Sequence, residues 1–481
     1  MKGNRLPAVL PVAAGRETLP TNDQQDRTRR ESGETRETGV TLEYQDQHET
    51  AVAPTQGTAA PGKSSAARGA LNICLLSYRS LRYCGGQGVY LKYLSKSLVE
   101  AGHRVDVISG PPYPDLVDGV RLIKLPSLDM YGTGKRWSAL GWRDLRSLTN
   151  IIEWLGILSG GFPEPYTFGR RAKAYLARHK DRYDVVHDNQ TLCYSLLDMR
   201  RWGLPLISTI HHPITVDLSI HLASARNGFY RLLIRRWHSF LRMQRKVAPR
   251  LDHILTISRA SKAAIERDFG VRPAAMDIVY NGIDAQNFAP RPDIPRRANR
   301  LMAMASADAP MKGLDILLRA FAALHRDRPD LELVVIGKPQ EGGRTERLIR
   351  KLGLSEPELR FQRDVPHDRL VELYAEATVA IVPSIYEGFS LPAGEAMACG
   401  VPLVATTGGA LPEVVGEAGV LVPPGDVDAL RDAVSGLLDD PDRRRELGEA
   451  GRRRVLEQFS WKRVAAETVA IYEKALISAN R

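Results

Sequence analysis

Two glutamates eight positions apart, Glu387 and Glu395, stand in IVPSIYEGFSLPAGEAMACGVPLVAT (381–406), where an apolar run gives way to a loop and then to a helix opened by Pro392. Glu387 falls in the loop and Glu395 in the first turn or so of the helix, where the positive pole of the helix stabilises acids. A carboxylate accepts two hydrogen bonds from vicinal hydroxyls, so one acid suits a ribose and the other a sugar ring. Between them the backbone N–H groups of Gly388, Phe389, Ser390 and Leu391 would face phosphates. A surface pair at a helix cap is the alternative, and the Gly-Phe-Ser and Gly-Val-Pro punctuation weakens it.

Three further places could join such a site. Gly85 and Gly86 lie between an apolar strand and a helix, where backbone without Cβ atoms approaches a ligand and free N–H groups meet an anion. The pattern is not GxGxxG, which disfavours an ordinary dinucleotide site. Lys312 precedes Gly313 and the helical run LDILLRAF, a local positive site for a diphosphate; taken alone it reads as a solvated lysine. His211 and His212 close STIHHP, and at the C-terminal edge of a parallel strand a histidine points into the ligand crevice. Taken alone, it reads first as a structural histidine.

The elements that must position these residues are legible from hydrophobic runs. Short buried strands are expected at 71–78, 104–109, 184–187, 205–210, 253–257 and 276–280, and, after the Pro- and charge-rich stretch 285–300, at 301–305, 331–336, 358–362, 379–382, 402–405 and 419–422. Helices are expected at 313–325, 343–352, 367–376, 392–399 and 426–438 in the second half. The fold class is therefore α/β, two Rossmann-like domains facing each other across a cleft where ligands bind. The expected division is a disordered extension at 1–69, an N-terminal acceptor domain at 70–288, and a C-terminal donor domain at 289–456.

Composition narrows the class. Hydrophobic residues at 43% and charged residues at 26% fit a soluble globular chain, and no apolar run nears the roughly 20 residues that span a bilayer. The short apolar start is broken by Pro7 and Pro11 and does not read as a signal peptide. Cys74, Cys84, Cys193 and Cys399 form no CxxC pair, which argues against a disulfide framework or zinc site and fits a reducing cytoplasm. A net charge of +11 favours an anionic partner. Residues 226–250 carry eight Lys/Arg and no acid among Phe229, Tyr230, Trp237 and Phe240, and Lys135, Arg136, Arg143 and Arg146 stand beside Trp137, Trp142 and Trp154. Both stretches read either as basic amphipathic helices docking on the inner face of an anionic membrane or as solvated faces over a core. No nucleic-acid module accompanies the charge. Asp426-Val427-Asp428 could pass for a metal-binding DxD, but its place before a helix makes capping the better account, and no metal is expected.

The Glu387–Glu395 spacing resembles the E-x7-E motif of the family-4 retaining glycosyltransferases, the GT-B enzymes of glycosyl transferases group 1. The likeness extends through GGQGVYLKYLSKSLVEAGHRVDVI (85–108), Thr209-Ile210-His211, TISRAS (256–261), YNGID (280–284), MKGLDILLRAF (311–321) and FSWKRVA (459–465), covering 71–475 in order. It implies a metal-independent transfer of a hexose-type sugar from a UDP- or GDP-sugar to a sugar or lipid-linked acceptor, without other cofactor. His211, Lys312 and Glu387 would be the catalytic residues: His211 near the anomeric centre, Lys312 on the phosphates, Glu387 on sugar hydroxyls. Gly85, Gly86, Gly388, Phe389, Ser390, Leu391 and Glu395 would bind the donor, Glu395 at its ribose. The leaving phosphate would take the acceptor's proton, the enzyme supplying position and charge. A final helix, 457–481, would cross back onto the first domain. Three departures leave the donor open: Ser306 replaces the family's arginine, with Lys338 as a candidate substitute; the turn after LVVIG reads Gly337-Lys338-Pro339; and Arg363 replaces a base-reading glycine. Two other readings are an epimerase-like nucleotide-sugar enzyme on the same scaffold and a catalytically silent, membrane-associated binding subunit.

Overall fold

A computed structural model describes residues 69–80, 86–130, 141–142, 144–225, 227–305 and 309–479. The extension at 1–68, and with it nearly all of the stretch expected to be disordered, lies outside the described residues. So do Cys84, Gly85, Lys135, Arg136, Trp137, Arg143 and Ser306.

Two all-parallel sheets carry the chain. The first runs β3-β2-β1-β4-β5-β6-β7, from β1 (Asn72–Ser77), β2 (Arg104–Ser109), β3 (Val120–Lys124), β4 (Val185–Asn189), β5 (Leu206–Ile210), β6 (His253–Thr256) and β7 (Met276–Ile278). The second runs β10-β9-β8-β11-β12-β13, from β8 (Arg300–Met304), β9 (Glu332–Ile336), β10 (Leu359–Gln362), β11 (Val379–Val382), β12 (Leu403–Thr406) and β13 (Val420–Val422). Each order reverses beside its first strand, the switch point at which α/β folds open a crevice beyond the strands' carboxyl ends. Continuous Val, Ile and Leu runs form these strands because helices cover both faces. The strand β3 was not expected from sequence: its VRLIK is only half-buried at the sheet edge, so it lacks the solid apolar run that marked the others.

The helices that matter below follow in chain order: α1 (Gly86–Glu100), α2 (Leu148–Leu158), α3 (Glu164–His179), α4 (Tyr194–Arg200), α5 (Thr215–Ala223), α6 (Gly228–Trp237), α7 (Leu241–Val247), α8 (Arg259–Phe269), α9 (Leu314–Asp327), α10 (Arg344–Leu352), α11 (His367–Glu376), α12 (Leu391–Ala398), α13 (Leu411–Val415), α14 (Val427–Asp439), α15 (Pro441–Gln458) and α16 (Trp461–Ala479). Asp426 caps α14, its Oδ1 accepting from the Ala429 N–H at 2.9 Å, so the DxD acids serve a helix start.

The last helix, α16, returns to the first sheet. Its Tyr472 hydroxyl meets His187 Nδ1 of β4 at 2.6 Å, and Trp461 stacks on Tyr93 of α1 with centroids 5.4 Å apart. Gly282 makes the crossing fit: a Cβ there would lie 2.4 Å from the Trp461 ring. The outgoing and returning segments are tied side by side where the Ile283 N–H donates to the Phe459 carbonyl at 2.7 Å.

Candidate functional site

The loop after β11 and the short turn before α9 are pressed together by glycine. Gly313 sits at φ +62°, and a Cβ on it would stand 2.0 Å from the Pro383 carbonyl oxygen. The Ile385 N–H donates to the Met311 carbonyl at 2.8 Å. This clamp carries Lys312 to Glu387: Nζ lies 2.8 Å from Oε1, which also accepts the Ser384 hydroxyl at 2.7 Å. Gly409 completes the fit, since a Cβ there would come within 2.2 Å of the Glu387 carbonyl, and that carbonyl accepts the Ala410 N–H at 2.9 Å. Glu387 is 9% exposed, so its charge is partly stripped of water and tied to one cation and one hydroxyl.

Across the seam stands the histidine pair at the end of β5. Asp188 at the end of β4 accepts the Thr191 and Leu192 N–H groups and the Ser208 hydroxyl, holding a turn in which Gln190 adopts φ +58°. Gln190 then clamps both histidines, its Oε1 accepting the His211 N–H and its Nε2 donating to the His212 carbonyl, each at 2.8 Å. Asn189 fixes the His211 ring: its Nδ2 points to the Gln87 carbonyl at 3.5 Å, leaving Oδ1 for His211 Nε2 at 2.7 Å. That arrangement puts the imidazole proton on Nε2 and leaves Nδ1 as an acceptor. Tyr90 of α1 packs edge-on against the ring at 4.8 Å. Burial, with smaller contributions from His212 and His187, pushes the His211 pKa down to about 3, so the ring is neutral at physiological pH. For His212 burial works downward too, but the Asp217 carboxylate at 2.9 Å outweighs it and the pKa ends above its ordinary value.

Gly388 is one place where the two halves touch. A Cβ there would lie 3.1 Å from the His211 carbonyl oxygen and 3.3 Å from His212 Cβ. Ser258 donates to the Gly388 carbonyl at 2.8 Å and Ser261 to the His211 carbonyl at 2.8 Å. Glu413, at the head of α13, accepts the Arg259 and Ala260 N–H groups at the start of α8 at 2.8 and 2.7 Å, an anion on a helix N-terminus across the seam.

Of the anticipated residues, the structure brings His211, Lys312, Glu387 and Gly388 together. Phe389 turns its side chain into the core, 5.4 Å edge-on from Phe459, so it offers the seam only backbone. Ser390 is held at φ +85° with its buried hydroxyl lacking a hydrogen-bond partner among the described residues. Leu391 begins α12. Glu395, one turn on, forms a second cluster: the Tyr374 hydroxyl reaches its Oε2 at 3.5 Å, and burial, with the Asp284 charge adding to it, pushes its carboxyl up to about 7. Tyr93 of α1 donates to Asp284 at 2.7 Å. Gly86 opens α1 with open space where a Cβ would be, beside the Gln87 that contacts Asn189. Lys338 is exposed just after β9, and Arg363 pairs with Asp364 at 3.7 Å.

Sequence reasoning missed Asn189, Gln190, Asp188, Ser258, Ser261 and Glu413. Asn and Gln in a left-handed or end-of-strand position carry no glycine flag, and the two serines read as ordinary helix-cap residues. Glu413 stood directly after Gly-Ala-Leu-Pro with nothing to signal a helix start from the other half of the chain.

Comparison with known proteins comes to bear on this geometry. The family model described as Glycosyltransferase Family 4 matches residues 84–287, and the one described as Glycosyl transferases group 1 matches residues 291–454. An MMP alpha-(1->4)-mannosyltransferase of Mycolicibacterium hassiacum is 47% identical over 410 residues, 84% of this chain and 98% of that relative. A D-inositol 3-phosphate glycosyltransferase of Kribbella flavida is 29% identical over 81% of this chain and 91% of its own length. Among solved structures, a sucrose-phosphate synthase from Thermosynechococcus elongatus superposes with a TM-score of 0.64 at 24% identity, over 85% of this chain and all of that one. An Anabaena protein, Alr3699/HepE, solved with UDP and glucose, gives 0.60 at 17% identity over 84% of this chain and all of that one. These two likenesses concern the fold, GT-B.

Proposed function

The chain belongs to the family-4 glycosyltransferases of GT-B fold, and from that premise we propose that it moves a hexose-type sugar, with retention of configuration, from a nucleotide-diphosphate donor to a sugar or lipid-linked acceptor. Mannose is the first sugar to test, since the relative that is 47% identical is named for mannosyl transfer. The donor nucleotide is UDP or GDP, and the transfer uses no metal.

One observation carries this reading: Lys312 and Glu387, 2.8 Å apart, stand on a loop whose Gly388 packs onto the backbone of His211. In the proposed reaction the donor's diphosphate takes Lys312 away from Glu387, and the freed carboxylate accepts sugar hydroxyls. The backbone of Gly86 and of Gly388–Leu391 adds N–H groups along the phosphates. Neutral His211, donating through Nε2 to Asn189, presents Nδ1 to a hydroxyl near the anomeric carbon. The bond from the anomeric carbon to the phosphate oxygen breaks while the acceptor oxygen bonds the same face. The acceptor's proton passes to the departing phosphate. Lys312 offsets the charge that builds there, a role worth on the order of 3–4 kcal/mol in comparable sites. In this reading Glu395, beside Tyr374, holds the ribose.

The acceptor side of the proposal includes peripheral contact with an anionic membrane from the cytoplasmic face. No helix among the described residues is long and apolar enough to cross a membrane. The helix α2 exposes apolar side chains although it also buries Ile157. Its Glu153 is 1% exposed and paired with Arg171 at 2.5 Å, whereas Leu148 and Leu155 are 61% and 54% exposed. Trp142 before it, and Phe229 and Leu232 on α6, are also exposed, as are Arg231 and Arg235 of the same helix α6. Arg236 of α6 donates to Ser159 at the end of α2, so the two helices are neighbours. Exposed apolar side chains on helices that also expose arginine suit an anionic lipid surface.

The deciding experiment measures nucleoside diphosphate release from GDP-mannose and UDP-glucose with and without membrane extract or oligosaccharide. Release that depends on acceptor, with an α-linked product, is the expected result. Turnover without acceptor would point instead to an epimerase-like enzyme. Donor binding with no turnover, unchanged in His211→Ala and Glu387→Ala, would sink the catalytic reading.

A further inference from the structure

A cavity of about 590 Å³ lies at the opposite end of α12 from Ser390, away from the residues discussed so far. Its floor is Cys399 and Gly400, its side is Pro290 and Arg296 of the linker, and its far wall is α15. The sequence of that helix, RRRELGEAGRRR (443–454), sets two arginine triplets nine residues apart. Arg444 and Arg452, eight apart, share one face with Gly448 between them. Gly448 lets α15 press close, because a Cβ there would stand 2.5 Å from the Gly400 carbonyl.

Three guanidinium groups on this cavity have no carboxylate partner among the described residues. Arg296 donates to the carbonyls of Ala377 and Gly400 at 2.6 and 2.7 Å. Arg444 donates to those of Leu437 and Leu438. Arg452 uses one nitrogen, Nη1, for the carbonyls of Ala285, Phe288 and Ala398, at 3.0, 2.8 and 2.9 Å. Desolvation, with the like charge of Arg444 adding to it, holds Arg296 below the ordinary arginine range. At the rim Arg445 and Arg453 are exposed and paired with Asp442 and Glu449.

Helix capping accounts for part of this. The carbonyls of Ala377, Ala398, Gly400, Leu437 and Leu438 lie at the C-terminal ends of α11, α12 and α14, each end the equivalent of about half a negative charge, while those of Ala285 and Phe288 lie in the linker. Three half charges facing three whole cations leave a surplus of roughly one to two positive charges. The volume falls within the roughly 300–1,000 Å³ of small-ligand sites.

We propose that this cavity binds a small phosphorylated metabolite, its phosphate held by Arg296, Arg444 and Arg452 and its body lying over Pro290. The site is independent of the donor crevice and does not require the transfer reading to hold. The guanidiniums are anchored in advance by peptide carbonyls, so binding loses little side-chain freedom.

The test uses the full chain in a thermal-shift titration with inorganic phosphate and with glucose 6-phosphate, against chloride at matched ionic strength. Either probe at saturation should raise Tm by roughly 2 °C or more. Lys312→Ala should keep that shift, since the crevice is not involved. Arg444→Ala should bring it down to the chloride baseline. Because Arg444 also caps α14, Arg453→Glu serves as the second variant: its side chain is at the rim, it should melt as the parent does, and it should weaken binding at least tenfold. The proposal fails if neither probe exceeds chloride, if the shift survives Arg453→Glu, or if Lys312→Ala abolishes it.

Discussion

The ammonium of Lys312 and the carboxylate of Glu387 lie 2.8 Å apart, each of them placed by a glycine that tolerates no side chain. They are each other's counter-ion until a ligand separates them. Lys312→Ala should therefore lower acceptor-dependent nucleoside diphosphate release by about 10²–10³-fold. The double variant with Glu387→Ala should lose less than the product of the two single losses, because the pair acts as a unit. Strict multiplicativity in a double-mutant cycle would show that the two act separately.

Gly313→Ala tests the clamp itself. At φ +62°, with Pro383 oxygen 2.0 Å from the new methyl group, the turn cannot keep its shape. Destabilisation of about 2 kcal/mol or more is expected by urea unfolding, with loss of activity even in the surviving folded fraction. A fully active, equally stable Gly313→Ala protein would contradict the geometry.

Glu395 makes two opposite predictions on pH. Its carboxyl is raised from 4.5 to about 7 by burial, then by Asp284, so the folded state favours the protonated form. Stability therefore declines as pH rises from about 4.5 towards 7, by at most on the order of 3 kcal/mol, and Glu395→Gln should gain stability at pH 8 but not at pH 4. Donor binding should go the other way, the donor KM falling as pH rises through 7, because an ionised carboxylate is the better acceptor for ribose hydroxyls. Thermal melts and initial rates over the same buffers read both, and a flat KM in the parent enzyme would remove Glu395 from the donor site.

His187 and His211 are both held near 3 by burial, well below the 6.5 of an unfolded histidine. Their contribution is complete above pH 6.5 and is lost as pH falls, each steepening the decline by about 1.4 kcal/mol per pH unit. A denaturant titration between pH 7 and 5 should show this slope, and His211→Asn should reduce it by the share of one proton. An unchanged slope would mean that His211 is not buried neutral.

Glu413→Ala removes the acceptor shared by the first amides of α8. A cost of about 1–2 kcal/mol is expected, and hydrogen exchange at Arg259 and Ala260 should accelerate at least tenfold. Protection unaltered at those two amides would deny the contact across the seam.

Much of this was readable in the residues, for reasons that differ by element. Strands such as β1, β9 and β11 are buried on both faces, so their runs are unbroken, while β3 at an edge left no such trace. The helix α15 went unanticipated because ten of its eighteen residues are charged, with Leu447 and Val455 the main apolar anchors and small Gly448 and Gly451 packed beside them. The acid pair was visible because Glu387 and Glu395 share one continuous loop and helix. The clamp on His211 was not, because Asn189 ends a different strand and Gln190 lies in the turn after it. Their polar side chains acquire a role only when parallel pairing sets β4 beside β5.

The two connections between the halves leave from one edge, with Ile283 and Phe459 hydrogen-bonded to each other and Trp461 seated on Gly282. That edge behaves as the spine of a book. A rotation of a few degrees about it would become ångströms at the page margin, where Gly388 meets His211. A ligand seated between Gly388 and His211 would need that margin to lift, and substitutions that thicken the spine should slow its entry and exit without touching a single group that holds it.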